Sequence, residues 1–390
     1  MLLKKTTLRW LVILLLTLPI SAQQTGSPKM LPDLRAQDTE APSKRTTNLT
    51  GQARMTEAEF ITSITGYLDQ LATADEFSGT VWVAKGGTPI FQKAYGLASI
   101  EYNIPNRIDT KFNLGSINKI FTQIAIGQLA EQHRLSLDDK LGKYLPDYPN
   151  REATEKISLR QLLNMTSGIG DFFGPQFQAT PKSRLRAIKD YLPLFAANPL
   201  EFEPGTKRQY SNGGYIVLGA IIERITGQDY YSYVREHIFK PAGMQDTDWY
   251  ESDLPTPNLA SGYTQEGMEA QGKNARRNNI YTRPAKGSSA GGGYSTAVDL
   301  LKFSLALQSG KLRLPSFRDP SGPEKQNSSG DNKQPGPAGI GIAGGAPGIN
   351  GVLEVDFKRG YTIIVLSNYD PPSAERVGKQ IHDWLARVIG

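Results

Sequence analysis

No cysteine occurs among the 390 residues. That absence removes disulfides, thiolate nucleophiles, cysteine-bound metals and the lipidated cysteine of a bacterial lipoprotein. The fold must be held by its own core. Histidine is nearly as scarce. His133, His237 and His382 are the three, and each lies in a helical pattern with no second histidine or acidic pair at ligand spacing. A zinc site finds no ligand set there, and a Ser-His-Asp triad finds no histidine on a loop after a strand. No metal or organic cofactor is implied. Beyond residue 20 there is also no apolar run long enough to span a bilayer. The net charge of +6 is spread through interleaved Lys, Arg, Asp and Glu rather than gathered in a basic block. The expected partner is a small-molecule or peptide substrate, not nucleic acid.

The N-terminus carries the clearest local signal. Lys4, Lys5 and Arg9 precede the apolar run from Trp10 to Ile20, and Ser21-Ala22-Gln23 follows. A basic region, a short apolar stretch and small residues describe a secretory signal peptide over residues 1–22, cut after Ala22. The run is short of the ~20 residues a membrane-spanning anchor needs, which favours cleavage. The expected location is periplasmic or secreted, with no stable membrane insertion after cleavage. Residues 23–52 are rich in Gln, Pro, Ser, Thr and charge, the composition of a flexible tether.

From residue 53 to 390 the pattern becomes that of one domain. Thr56-Glu-Ala-Glu59 is a capping signal for a helix through Ile61, Ile64, Tyr67, Leu68 and Leu71. The runs 79–84 and 89–95 alternate as strands around the turn Lys85-Gly-Gly87. The far end mirrors this, with strands over 349–357 and 361–367 and a helix over about 374–388. Between them, residues 116–285 read as a mostly helical subdomain. The expected fold class is therefore α+β: an antiparallel sheet built from both chain ends, flanked by helices, with an inserted helical subdomain. Residues 313–338, crowded with Pro, Gly, Ser, Asn and Lys, read as a flexible insert.

Two segments carry chemistry. In Phe112-Asn-Leu-Gly-Ser-Ile-Asn-Lys119, Ser116 opens an apolar helical run and Lys119 follows three residues later. That spacing puts hydroxyl and ammonium on the same side of a helix whose first N–H groups are unpaired. A lysine buried beside a serine has a depressed pKa and can take the serine proton without histidine. Ser116 is the only serine with lysine at this spacing. Downstream, Tyr210-Ser-Asn212 lies on a tight loop before the apolar run Tyr215–Ile222. A phenol held partly ionised beside a lysine can pass protons, and a side-chain amide can orient a substrate carbonyl. Tyr148-Pro-Asn150 has the same pattern without an evident following helix and reads as a turn.

The order Ser-x-x-Lys then Tyr-Ser-Asn resembles the class C β-lactamase branch of the serine penicillin-recognising enzymes. Phe77–Lys85, Leu162–Gly168, Ala290–Leu300 and Gly344–Asn350 read like the same family. The branch includes D-alanyl-peptide carboxypeptidases, D-amino-acid amidases and carboxylesterases. The resemblance implies an acylated nucleophile at Ser116, with Lys119 and Tyr210 sharing acid and base duty. It implies that Asn212 holds the substrate amide, and that the backbone N–H groups of Ser116 and Gly345, on the glycine pair Gly344-Gly345, form an oxyanion hole.

The third family motif departs from the pattern. Members usually carry Lys-Thr-Gly, or His with glycines, on the strand lining the site. Here the run is Gly341-Ile-Ala-Gly-Gly345, with Ile342 at the cation's place. The strand normally leading into it reads as replaced by the insert. Losing the cation removes a partner for a substrate carboxylate and points to ester or amide hydrolysis of less anionic substrates. The alternatives are a non-catalytic binding protein of the same fold, and a nucleophile elbow at Gly287-Ser-Ser-Ala-Gly291, which lacks a convincing strand before it. Expressed in a secreting bacterial host, the mature chain is expected to begin at Gln23 by N-terminal sequencing. An intact Met1 on the exported protein would refute cleavage.

Overall fold

The two chain ends meet in one five-stranded sheet. The structure is a computed structural model and describes residues 54–272, 274–315 and 339–389. The expected signal segment, the tether and residues 316–338 of the insert lie outside the described residues. The strands are β1 (Gly79–Lys85), β2 (Thr88–Tyr95), β3 (Gly339–Ala346), β4 (Ile349–Asp356) and β5 (Tyr361–Ser367). Their spatial order is β2-β1-β5-β4-β3, with every neighbouring pair antiparallel. Gly86 and Gly87 close the first hairpin with φ of +56° and +83°. A two-residue turn with both residues left-handed matches the twist of the strands it joins, and glycine adopts it without steric cost.

Alternation along the strands divides the interior in two. Val81, Val83, Val352, Ile363 and Val365 point to one face. Trp82, Ala84, Leu353, Val355, Ile364 and Leu366 point to the other. A period of two puts neighbours on opposite faces, so strands apolar at every position are buried on both. The first face is covered by α1 (Glu57–Thr73) and α5 (Ser373–Ile389). Helix α1 begins with the expected capping box: the Thr56 hydroxyl accepts from Glu59 N–H, and the Glu59 carboxylate accepts from Thr56 N–H at 2.8 Å. Phe60, Ile64, Leu68 and Leu71 on α1 meet Ala374, Val377, Ile381 and Leu385 on α5 against the sheet.

The second face packs into the larger core around α2 (Lys119–Glu131), α3 (Asn212–Thr226) and α4 (Ala297–Gln308). Helices α2 and α3 are apolar nearly all round, as suits helices surrounded by protein. Phe121 of α2 sits edge-to-face with Phe239 and Phe303, at ring separations of 4.9 and 5.2 Å. Within the stretch 116–285 the α-helices end at Ala242, and among the described residues only a 3-10 turn over Glu269–Gln271 follows. Beyond Ala242 the chain is mostly loop with two-residue strand pairs, until α4 starts at Ala297.

The edge strand corrects one expectation. The strand leading into the run around Ile342 is not replaced by the insert, because β3 starts at Gly339 and pairs with β4 along its whole length. Four glycines in eight residues weaken strand propensity. The backbone ladder, with Ile340 and Ile342 packed on the larger core, holds the strand regardless. No helix among the described residues is long and apolar enough to cross a membrane.

Phe121→Ala removes a fully buried ring from the centre of the larger core. It is expected to cost about 3–5 kcal/mol in denaturant unfolding. Tyr281→Ala, at an 88% exposed position, should stay within about 0.5 kcal/mol. Equal midpoints for the two variants would contradict this placement of the core.

Candidate active site

The first half of the site is built where the chain enters α2. Phe112–Asn113 pairs with Tyr294–Ser295, and Leu114 N–H donates to the Gly293 carbonyl at 2.8 Å. The Asn113 side chain then accepts from Gly115 N–H at 2.9 Å, turning the chain. Gly115 has φ +50°, and a Cβ there would come 2.9 Å from the Gly345 nitrogen. Residues Gly115–Asn118 form a 3-10 turn that runs straight into α2, and Lys119 N–H reaches back to the Ser116 carbonyl. In a 3-10 turn, side chains three apart lie almost directly over one another. Lys119 Nζ is accordingly 3.1 Å from Ser116 Oγ.

The second half comes from the loop before α3. Gly205 N–H, Gln209 N–H and Glu201 N–H donate to the carbonyls of Thr166, Met165 and Gly168 at 2.8, 2.9 and 2.8 Å. Ser211 caps α3 by accepting from Gly214 N–H at 2.9 Å, while its hydroxyl donates to the Gly170 carbonyl at 3.1 Å. This clamp delivers Tyr210 and Asn212 to the start of α2. The Tyr210 and Ser116 hydroxyls are hydrogen bonded to one another. Lys119 Nζ donates to Asn212 Oδ1 at 2.7 Å and to the Ala290 carbonyl at 2.6 Å. Serine, lysine, tyrosine and asparagine are thus brought together.

The electrostatics of the cluster follow from its burial. Lys119 is 5% exposed. Desolvation pulls its pKa down to about 7, against the opposing pull of the Asp171 charge. Burial pushes Tyr210 up to about 12, with Asp171 adding to the rise and the Ser116 hydrogen bond opposing it. The expectation of a partly ionised phenol is therefore corrected: at neutral pH Tyr210 keeps its proton. A neutral amine has two N–H groups and one lone pair. The Asn212 and Ala290 oxygens can only accept, so they take the two N–H groups. The lone pair is left facing Ser116.

The glycine pair lies on the other side of the serine. A Cβ on Gly344 would fall 2.8 Å from the Ser116 nitrogen and 2.2 Å from the Leu114 carbonyl oxygen. Strand β3 and the serine turn thus touch backbone to backbone, and only glycine fits between them. Ile342, opposite Leu353, is half-buried against the larger core, and β3 bears no charged side chain.

Comparisons with known proteins show the family. The Beta-lactamase family profile matches residues 65–387. The chain belongs to that family. A Bacillus subtilis (strain 168) protein named as a penicillin-binding protein, PbpX, is 31% identical over 305 residues, covering 78% of this chain and 72% of the relative. The crystal structure of a penicillin binding protein from Bacillus halodurans superposes with a TM-score of 0.68 at 29% identity, covering 80% of this chain and 99% of the other. The D-amino acid amidase from Ochrobactrum anthropi SV3 shares the fold with a TM-score of 0.62 at 22% identity, covering 85% and 97% of the two chains. The α+β architecture and the family resemblance stated from the motifs both hold, and family membership supports serine hydrolase chemistry in general.

Other sequence candidates resolve differently in this β-lactamase-family chain. Ser289 is fully buried and donates to the Tyr215 carbonyl at 2.8 Å, so Gly287–Gly291 is a glycine-rich loop and no nucleophile elbow. Its neighbour Ala290 nonetheless supplies a carbonyl to Lys119. Asn150 is followed by a helix after all: it caps Arg151–Lys156 by accepting from Ala153 N–H at 3.0 Å. Its role is a cap, and Tyr148 beside it is buried in the core. The His237 ring packs at a tilt on Tyr233, and His382 bonds Glu354 at 2.9 Å.

Sequence reasoning missed Asp171, which accepts from Asn212 Nδ2 at 2.6 Å. Its signal was its place three residues past the family-like Leu162–Gly168 segment. Gly344→Ala should separate β3 from the serine turn and lower the rate of Ser116 acylation by about 100-fold, as expected for a misplacement near 1 Å. Stopped-flow labelling of folded variant and wild type checks this, and equal rates would refute the contact.

Proposed function

We propose that the protein is an exported serine hydrolase that acts through an acyl-enzyme on ester or amide substrates. Ser116 is the nucleophile and Lys119 the resting base. The lone pair of Lys119 takes the Ser116 proton as Oγ attacks the substrate carbonyl carbon. The developing oxyanion meets the backbone N–H groups of Ser116 and Gly345. The proton passes from Lys119 by way of the Tyr210 hydroxyl to the leaving oxygen or nitrogen, and the C–O or C–N bond breaks. Water then attacks the acyl-enzyme by the same route in reverse. Asn212 gives one amide N–H to Asp171, which leaves the second for a substrate carbonyl.

The observation that supports this most is the pairing of a Lys119 pKa near 7 with two acceptors that occupy its N–H groups. Ile342 supports a preference for uncharged acyl groups, since β3 offers no cation to a substrate carboxylate. Export is supported by the composition of residues 1–22.

A fluorophosphonate should add mass at Ser116, and short-chain p-nitrophenyl esters should be turned over by wild type and not by Ser116→Ala. A chromogenic cephalosporin should be turned over more slowly than the esters. An unlabelled wild type would favour the non-catalytic binding alternative instead. The pH dependence has a definite sign. Below pH 7 Lys119 is an ammonium without a lone pair, so acylation should fall about tenfold per unit on the acid side and level off above it. A flat profile from pH 5 to 9 would contradict Lys119 as the base.

A further inference from the structure

We propose that Asp171 is a positioning residue: by holding the amide nitrogen of Asn212, it forces the amide oxygen onto Lys119 and so aims the amine at Ser116. The inference rests on the assignment of Ser116 and Lys119 made above. An asparagine amide has a donor end and an acceptor end, and either can face a given neighbour. A carboxylate only accepts. With Asp171 Oδ2 2.6 Å from Asn212 Nδ2, the oxygen must turn to Lys119 Nζ, 2.7 Å away. Rotated by half a turn, the amide would set its oxygen against a carboxylate, a repulsive contact, and its NH2 group against the lysine, where it would repel the ammonium or occupy the lone pair of the neutral amine.

Asp171 is itself held in place. Its other oxygen accepts from Phe173 N–H at 3.2 Å. The residue before it, Gly170, is pinned through its carbonyl by Ser211. A Cβ on Gly213 would meet that carbonyl oxygen at 2.4 Å, so the turn lies directly on the start of α3. Among the described residues no Lys, Arg or His forms an ion pair with Asp171. Its charge acts on Lys119, raising the lysine pKa against the fall caused by burial, and also on Tyr210. The other groups facing Lys119 are the Tyr210 and Tyr215 rings, at 4.7 and 5.4 Å from Nζ, and the Ser116 hydroxyl. Arg208 acts on Tyr215, and Glu201, bonded to Gln209, borders the small cavity beside Asp171. A purely structural role, placing a negative charge at the N-terminus of α3, would not touch the lysine.

The test compares wild type, Asp171→Asn and Asp171→Ala by two measurements. One is 13C NMR titration of the lysine ε-carbons, with Lys119 assigned from Lys119→Met. The other is the plateau rate of fluorophosphonate acylation, with folding checked by circular dichroism. Asparagine keeps an acceptor for Asn212 and removes the charge. Its Lys119 midpoint should fall by roughly half a unit or more, and its plateau should suffer several-fold less than that of the alanine variant. Alanine frees the amide and should lower the plateau about 10-fold or more. An unmoved Lys119 midpoint in Asp171→Asn, or equal plateaus in both variants, would overturn the proposal. If the alanine variant does not fold, the midpoint of the asparagine variant decides. If wild-type Ser116 takes no label, the hydrolase assignment fails, and the NMR titration still decides whether Asp171 acts on Lys119.

Discussion

Everything at the site depends on one amine held out of water. An exposed lysine is protonated at neutral pH and useless as a base. Burial of Lys119 brings its pKa to about 7, where the two forms exchange readily. Burial alone would leave a cation without partners, so the surroundings supply oxygens from two separate segments: the Asn212 side chain and the Ala290 main chain. The fold brings α2, α3 and the Ser288–Gly291 loop to one point, and the larger core holds them there.

A second constraint is closeness of backbone. Strand β3 lies against the serine turn with no side chain between, as the contacts at Gly115 and Gly344 require. Glycine is costly in a strand, and here the edge strand keeps four. They are tolerated because β4 supplies a full ladder and the two isoleucines anchor the strand to the core. The same strand carries Ile342, packed on the larger core, and no charged side chain.

Much of this was legible in the sequence. The paired strands at each end, the capping box at Thr56 and the apolar stripe of the last helix are periodic and local. Ser116 and Lys119 are three residues apart, so their proximity follows from local geometry alone. Strand β3 was misjudged because glycine hides strand propensity, and a pairing partner cannot be seen in a local window. The helix after Asn150 was overlooked because six residues are too few to show a period.

Spacing along the chain determined the strand pair at each end and the serine–lysine pair, since each rests on residue types a few positions apart, and the family resemblance pointed to Ile342 at the cation's place. Tertiary structure alone decided that Tyr210 keeps its proton, that Ser289 is buried, and that Asp171 and Ala290 belong to the site. Proton affinity and side-chain orientation are set by whatever is packed within a few ångströms, and those neighbours come from segments distant along the chain.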